Sequence, residues 1–119
     1  MSSNAGIVAH ITTEEVHNWQ MALRNLRNLA QDDSVSTPAE QIQVVVNGPA
    51  IRFLLESSPD AAKVATMVDA GVAVTACENS LDRFGYDTAA IMNGVSIVPS
   101  GVAAVANAQQ QGAVYLKLP

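Results

Sequence analysis

Residues 71–85 read GVAVTACENSLDRFG. The apolar run Val72, Ala73, Val74, Thr75, Ala76 has the content of a buried strand. It delivers the chain's one cysteine, Cys77, and gives way at once to Glu78, Asn79 and Ser80. A short helix then reads as far as Phe84, with Gly85 placed to stop it. Gly71, ahead of the run, sits where a helix C-cap glycine belongs. The stretch is therefore helix end, strand, helix start, which is the joint from which parallel α/β sheets are built.

The same alternation continues on both sides. Toward the N-terminus, Ser58-Pro59-Asp60 supplies a cap, a proline for the first turn and an acid facing the helix dipole. Val64, Met67 and Val68 give the helix that follows its buried face. Residues 42–46 (IQVVV) read as a strand buried on both faces, ended by Asn47-Gly48-Pro49, with a short helix over residues 50–56. Residues 31–41 are the most polar segment and read as an exposed loop. Val16, Trp19, Leu23, Leu26 and Ala30 recur at steps of three or four on one face of a first helix. Thr12-Thr13-Glu14-Glu15 ahead of it fits a capping box. Residues 6–11 (GIVAHI) read as the first strand.

Toward the C-terminus, a second short helix fits between an Asp87 cap and Gly94, and residues 95–98 read as a fourth strand. Pro99-Ser100-Gly101 opens a helix with Val102, Val105 and Ala106 on its apolar side, closing at Gly112. Residues 113–118 make a last strand. This order predicts one domain over residues 1–119: an α/β three-layer sandwich with a mostly parallel five-stranded sheet, flavodoxin-like. Chemistry is expected at the carboxyl ends of the strands, at His10, at Asn47 and Gly48, and at Cys77 to Ser80.

Composition narrows the function classes. The chain has 119 residues, 49% of them hydrophobic and only 14% charged, with a net charge of −5. It is too apolar for a disordered chain, and its low charge suggests self-association. Six scattered basic residues and 4% aromatics exclude a nucleic-acid footprint. No apolar stretch approaches the ~18 residues of a membrane span. The N-terminus lacks the basic start and long apolar run of a signal peptide. One cysteine excludes an internal disulfide and a four-cysteine zinc site, and a cytoplasmic location is expected.

Position gives Cys77 two readings. A thiolate is stabilised by the unpaired amides at a helix start, so a reactive cysteine fits this joint. Free cysteine is also a common small hydrophobe, and Glu78 beside it opposes ionisation, so plain packing fits as well. His10 is the candidate base if strands one and three are neighbours. Alternation along the strand equally allows it to point elsewhere. His10, His17, Cys77 and Glu78 lack metal-ligand spacing, and Asn47-Gly48-Pro49 lacks the glycine pattern of a phosphate loop. No metal and no cofactor are expected.

Four segments resemble the DsrE/DsrF-like family. These are Val74 to Leu81 with its Ala-Cys-x-Asn-Ser-Leu pattern, Val44 to Pro49, Gly94 with Ile97 to Val102, and the closing run Gln109 to Leu118. The resemblance implies a five-stranded parallel fold and a symmetric homo-oligomer, trimer or hexamer. It also implies a sulfur carrier or sulfurtransferase-like role in which Cys77 accepts persulfide sulfur from one protein and passes it to another. Asn79, Ser80 and the amides after Cys77 would then hold the anionic sulfur, with Glu78, Asn47, Gly48 and His10 lining the site. The residues after Cys77 depart from those of the sulfur-relay branch. The alternative is a non-catalytic oligomeric module that binds a small ligand or a protein.

Overall fold

The five apolar runs become five parallel strands in a computed structural model that describes residues 6–119. The expectations for residues 1–5, their place in the domain and the lack of a signal peptide, lie outside the described residues. The strands are β1 (Ile7–Ile11), β2 (Ile42–Val46), β3 (Ala73–Cys77), β4 (Ser96–Val98) and β5 (Val114–Lys117). The helices are α1 (Val16–Gln31), α2 (Ala61–Asp69), α3 (Glu78–Phe84) and α4 (Gly101–Gln110). The sheet order is β4-β3-β2-β1-β5.

That order sets the layers. From β1 to β4 each connection steps the same way across the sheet, so right-handed crossovers leave α1, α2 and α3 on one face. The return from β4 to β5 runs the other way and puts α4 alone on the opposite face. Alternation along the strands follows. Ile7, Ala9, Ile11, Val44, Val46, Val74 and Ala76 face the larger core, with Trp19, Leu26, Leu54, Val64 and Leu81. Val8 and Val45 face α4 through Val105. Each such aliphatic side chain contributes about 1.5–3 kcal/mol when fully buried. Within the larger core Trp19 stacks on Phe53, ring centroids 4.8 Å apart, and its indole N–H has no partner among the described residues.

The local signals hold in kind and shift in detail. Gly85 ends α3 at a φ of 77°, where a side chain would be strained, and the Ser100 hydroxyl caps α4 by accepting from the Ala103 amide. The capping box does not form. Helix α1 starts at Val16, so Thr13 lies too early and accepts instead from the Glu15 amide at 3.1 Å. Val16 and Ala30 are exposed, and Ala22 completes the buried stripe. Helix α2 likewise begins at Ala61, after Asp60, with Ser58 in the preceding turn. Residues 48–54 form a 3-10 helix, as does a turn at Ala39–Gln41 within the expected loop. Asp87 caps only a short 3-10 turn, Thr88–Ala90. Strand β4 is a largely exposed edge.

Candidate functional site

Cys77 is the last residue of β3 and the N-cap of α3. Its parity is that of Thr75, so its side chain lies on the face covered by α4. A reactive thiol at this joint calls for access from solvent. The residue instead keeps only 4% of its surface exposed. Gly101 explains the closure. The start of α4 comes so near that a Cβ there would lie 3.2 Å from Cys77 Cβ, 3.1 Å from Asn47 Cβ and 3.2 Å from Val45 Cγ1. Only glycine fits without displacing them.

The enclosure is polar around the sulfur. Burial, the largest single influence, pushes the Cys77 thiol up. The Ser80 hydroxyl and the amides of Gly101, Ser80 and Asn79, in that order, stabilise the thiolate, and together they hold the thiol below its ordinary value. Ser80 is itself buried, and its Oγ accepts the Gly48 amide at 2.7 Å. That leaves the hydroxyl proton free for sulfur. The Asn79 amide also donates to Pro99 O at 3.2 Å, tying α3 to the turn before α4, while its side chain is exposed. Glu78 is half-buried in the first turn of α3 and makes no side-chain hydrogen bond among the described residues.

Strands one and three are not neighbours, because β2 lies between them. His10 is in register with Val45, and Val45 with Thr75, so His10 shares the face of Cys77 from two strands away. It reaches the site through Asn47. His10 Nε2 bonds Asn47 Oδ1, and since that oxygen only accepts, Nε2 is the donor. In the neutral ring Nδ1 then accepts the Tyr115 hydroxyl, 2.8 Å away. Asn47 thus joins two clusters: Cys77, Ser80, Gly48 and Gly101 on one side, and His10 with Tyr115 on the other.

Gly101 and Tyr115 escaped the sequence reading as site residues. Gly101 gave a partial signal in the Pro99-Ser100-Gly101 helix start, whose serine is indeed a cap. Tyr115 gave almost none, being one polar aromatic in an edge strand.

The family model for the DsrE/DsrF-like family matches residues 7–118. The chain belongs to the DsrE/DsrF-like family. None of the curated proteins matches it in sequence. Among solved structures this family member is similar to MTH1491 from Methanobacterium thermoautotrophicum, described as a protein of unknown function. The match has 27% identity and a TM-score of 0.85, covering 93% of this chain and 96% of that one. It shares its fold with BT1422 from Bacteroides thetaiotaomicron, a conserved protein of unknown function, at 16% identity and a TM-score of 0.72, covering 98% and 99%. The ychN protein from E. coli has the same fold at 14% identity and a TM-score of 0.66, covering 94% and 98%. Among the described residues no cluster of three metal-ligating side chains occurs, and no helix is long and apolar enough to cross a membrane.

Proposed function

We propose that this DsrE/DsrF-like protein is a cysteine persulfide carrier acting through Cys77. The observation that carries the reading is the placement of Cys77 at the N-cap of α3, against Gly101 at the start of α4 and near the buried Ser80, where the Ser80 hydroxyl and the Gly101, Ser80 and Asn79 amides favour the thiolate. A packing cysteine needs none of them. In the first step the Cys77 thiolate attacks the outer sulfur of a donor persulfide, R–S–SH. The S–S bond of the donor breaks, R–S⁻ leaves, and Cys77–S–SH forms. In the second, an acceptor thiolate attacks that outer sulfur and Cys77 departs as thiolate. Oxidation state is conserved across the pair of steps, so no metal or redox cofactor is required. The same donors that stabilise the thiolate as nucleophile stabilise it as leaving group.

Donor and acceptor are proteins, met in a reducing, cytoplasmic setting, and the carrier works as a homotrimer or hexamer. Exposed Val102, Val114 and Ile97 on α4 and the two edge strands support self-association. The deciding experiment is intact-mass spectrometry after treatment with polysulfide. One added sulfur, about 32 Da, is expected on the wild type and none on Cys77→Ser. No adduct, or one that persists in the variant, refutes the carrier. The enclosure of Cys77 favours one second reading, a binding or assembly module in which the thiol only packs. Native mass spectrometry showing a monomer would count against assembly in either case.

A further inference from the structure

The chain is acidic, yet three of its six Lys and Arg residues line one groove: Arg24 and Arg27 of α1, and Lys63 of α2. Gln20 and Thr66 complete the rim, and Leu23 and Met67, both core residues, form the floor. Among the described residues no carboxylate lines it. Lys63 is partly engaged, since its ammonium lies 3.6 Å from Asp60, one turn back on the same segment. Among the described residues that is the only ion pair, so both guanidinium groups are without an acidic partner. The hollow measures about 260 Å³. It lies between helices on the larger-core face of the sheet, whereas Cys77 lies under α4 on the other.

Helical spacing creates this arrangement. Gln20, Arg24 and Arg27 stand at i, i+4 and i+7 on α1, flanking Leu23, and Lys63 and Met67 stand at i and i+4 on α2. Each helix thus sets cationic heads above an apolar base. In a molecule of net charge −5, a long-range field repels anions, and only a local cluster of this kind reverses it.

We propose that the α1–α2 groove is a binding site for a small organic anion with an apolar body. The acidic head takes the Arg24 and Arg27 forks, which match a carboxylate or phosphate in a bidentate fashion. Lys63 adds charge from the facing helix, and the apolar body lies on Leu23 and Met67. A hollow below the ~300–1,000 Å³ of drug-sized pockets suits a short acyl or aryl group.

The test is an amide-resolved NMR titration of the full chain with octanoate, against octanol as the neutral counterpart of equal length. Saturable shifts are expected at Leu23, Arg24, Arg27, Lys63 and Met67. Octanol is expected to bind at least about tenfold more weakly, and Arg24→Gln/Arg27→Gln to weaken octanoate by at least about tenfold. Arg24→Lys/Arg27→Lys, which keeps the charge but loses the planar fork, should bind octanoate more weakly than wild type and more tightly than the Gln variant. Both variants alter exposed side chains, and their melting curves report any loss of fold. Absence of saturation, equal affinity for octanol, or undiminished binding in the Gln variant overturns the proposal.

Discussion

Replacing Gly101 with alanine tests the closure over Cys77 with a single methyl group. The new Cβ would meet Asn47 Cβ at 3.1 Å, Cys77 Cβ at 3.2 Å and Val45 Cγ1 at 3.2 Å. Ordinary carbon contacts begin near 3.5 Å, so all three are short by a few tenths of an ångström. Two of the three are Cβ atoms, fixed to the backbone of β3 and the end of β2, and no rotamer change moves them away. The third belongs to Val45, which is fully buried. Relief must therefore come from a shift of α4. Overpacking of this kind costs about 1–3 kcal/mol. Alanine regains at most about 1 kcal/mol over glycine through helix propensity, and less at the first helical position. A net loss of about 1–2 kcal/mol is expected, a fall in Tm of about 4–8 °C for a chain of this size. Urea denaturation followed by circular dichroism measures it, with Gln109→Ala, at an exposed position of the same helix, as a control expected within about 0.5 kcal/mol. A Gly101→Ala protein as stable as wild type would show that α4 is not held against the sheet as described.

Ser80→Ala removes both a donor to the sulfur and the acceptor of the Gly48 amide. It should raise the thiol's pKa, slow alkylation of Cys77 near neutral pH, and cost about 1–3 kcal/mol, read by iodoacetamide kinetics and urea melts. Unchanged alkylation would remove Ser80 from the site. Because folding lowers the Cys77 pKa, its stabilising contribution is complete above the unfolded-state value of about 8.5 and fades as pH falls through the folded value. The stability advantage of wild type over Cys77→Ser should therefore widen between pH 7 and about 9.5, and a flat or narrowing difference contradicts the donor set. Phe53→Ala opens a void against Trp19 and should cost about 3–5 kcal/mol by chemical denaturation, with a cost below about 1 kcal/mol refuting the stack as a core element.

Much of this fold was legible because its strands are short apolar runs and its helices carry strong stops. IQVVV and AVTAC cannot be surface segments, and Ser100 and Gly85 mark helix ends by chemistry that does not depend on the rest of the chain. The N-terminal caps of α1 and α2 were misread where two candidate polar residues stood close together. At α1 a tertiary contact holds the segment ahead of the helix: the Thr12 and Thr13 amides both donate to Pro119 O, and the helix starts at Val16. The site was half legible. Cys77, Asn47, Gly48 and Ser80 follow one another at strand ends, which local pattern marks. Strand order does not appear in local pattern, so the distance from His10 to Cys77, the bridge through Asn47 and the partnership with Tyr115 were all hidden. The burial of the sulfur was hidden for the same reason, since it depends on how near α4 passes.

Strand β5 pairs with β1, joining Ile7 to Val114 across almost the whole chain. During synthesis, β1 to β4 emerge together with the helices that cover their larger core, while the outer edge of β1 still has no neighbour. Until β5 leaves the ribosome, that edge offers bare amides and carbonyls to any passing strand. That edge is thus the part of the sheet most open to aggregation until β5 has docked, and chaperone demand should persist until then. The hydroxyl that meets His10 arrives within that final segment, so this part of the pocket is assembled last.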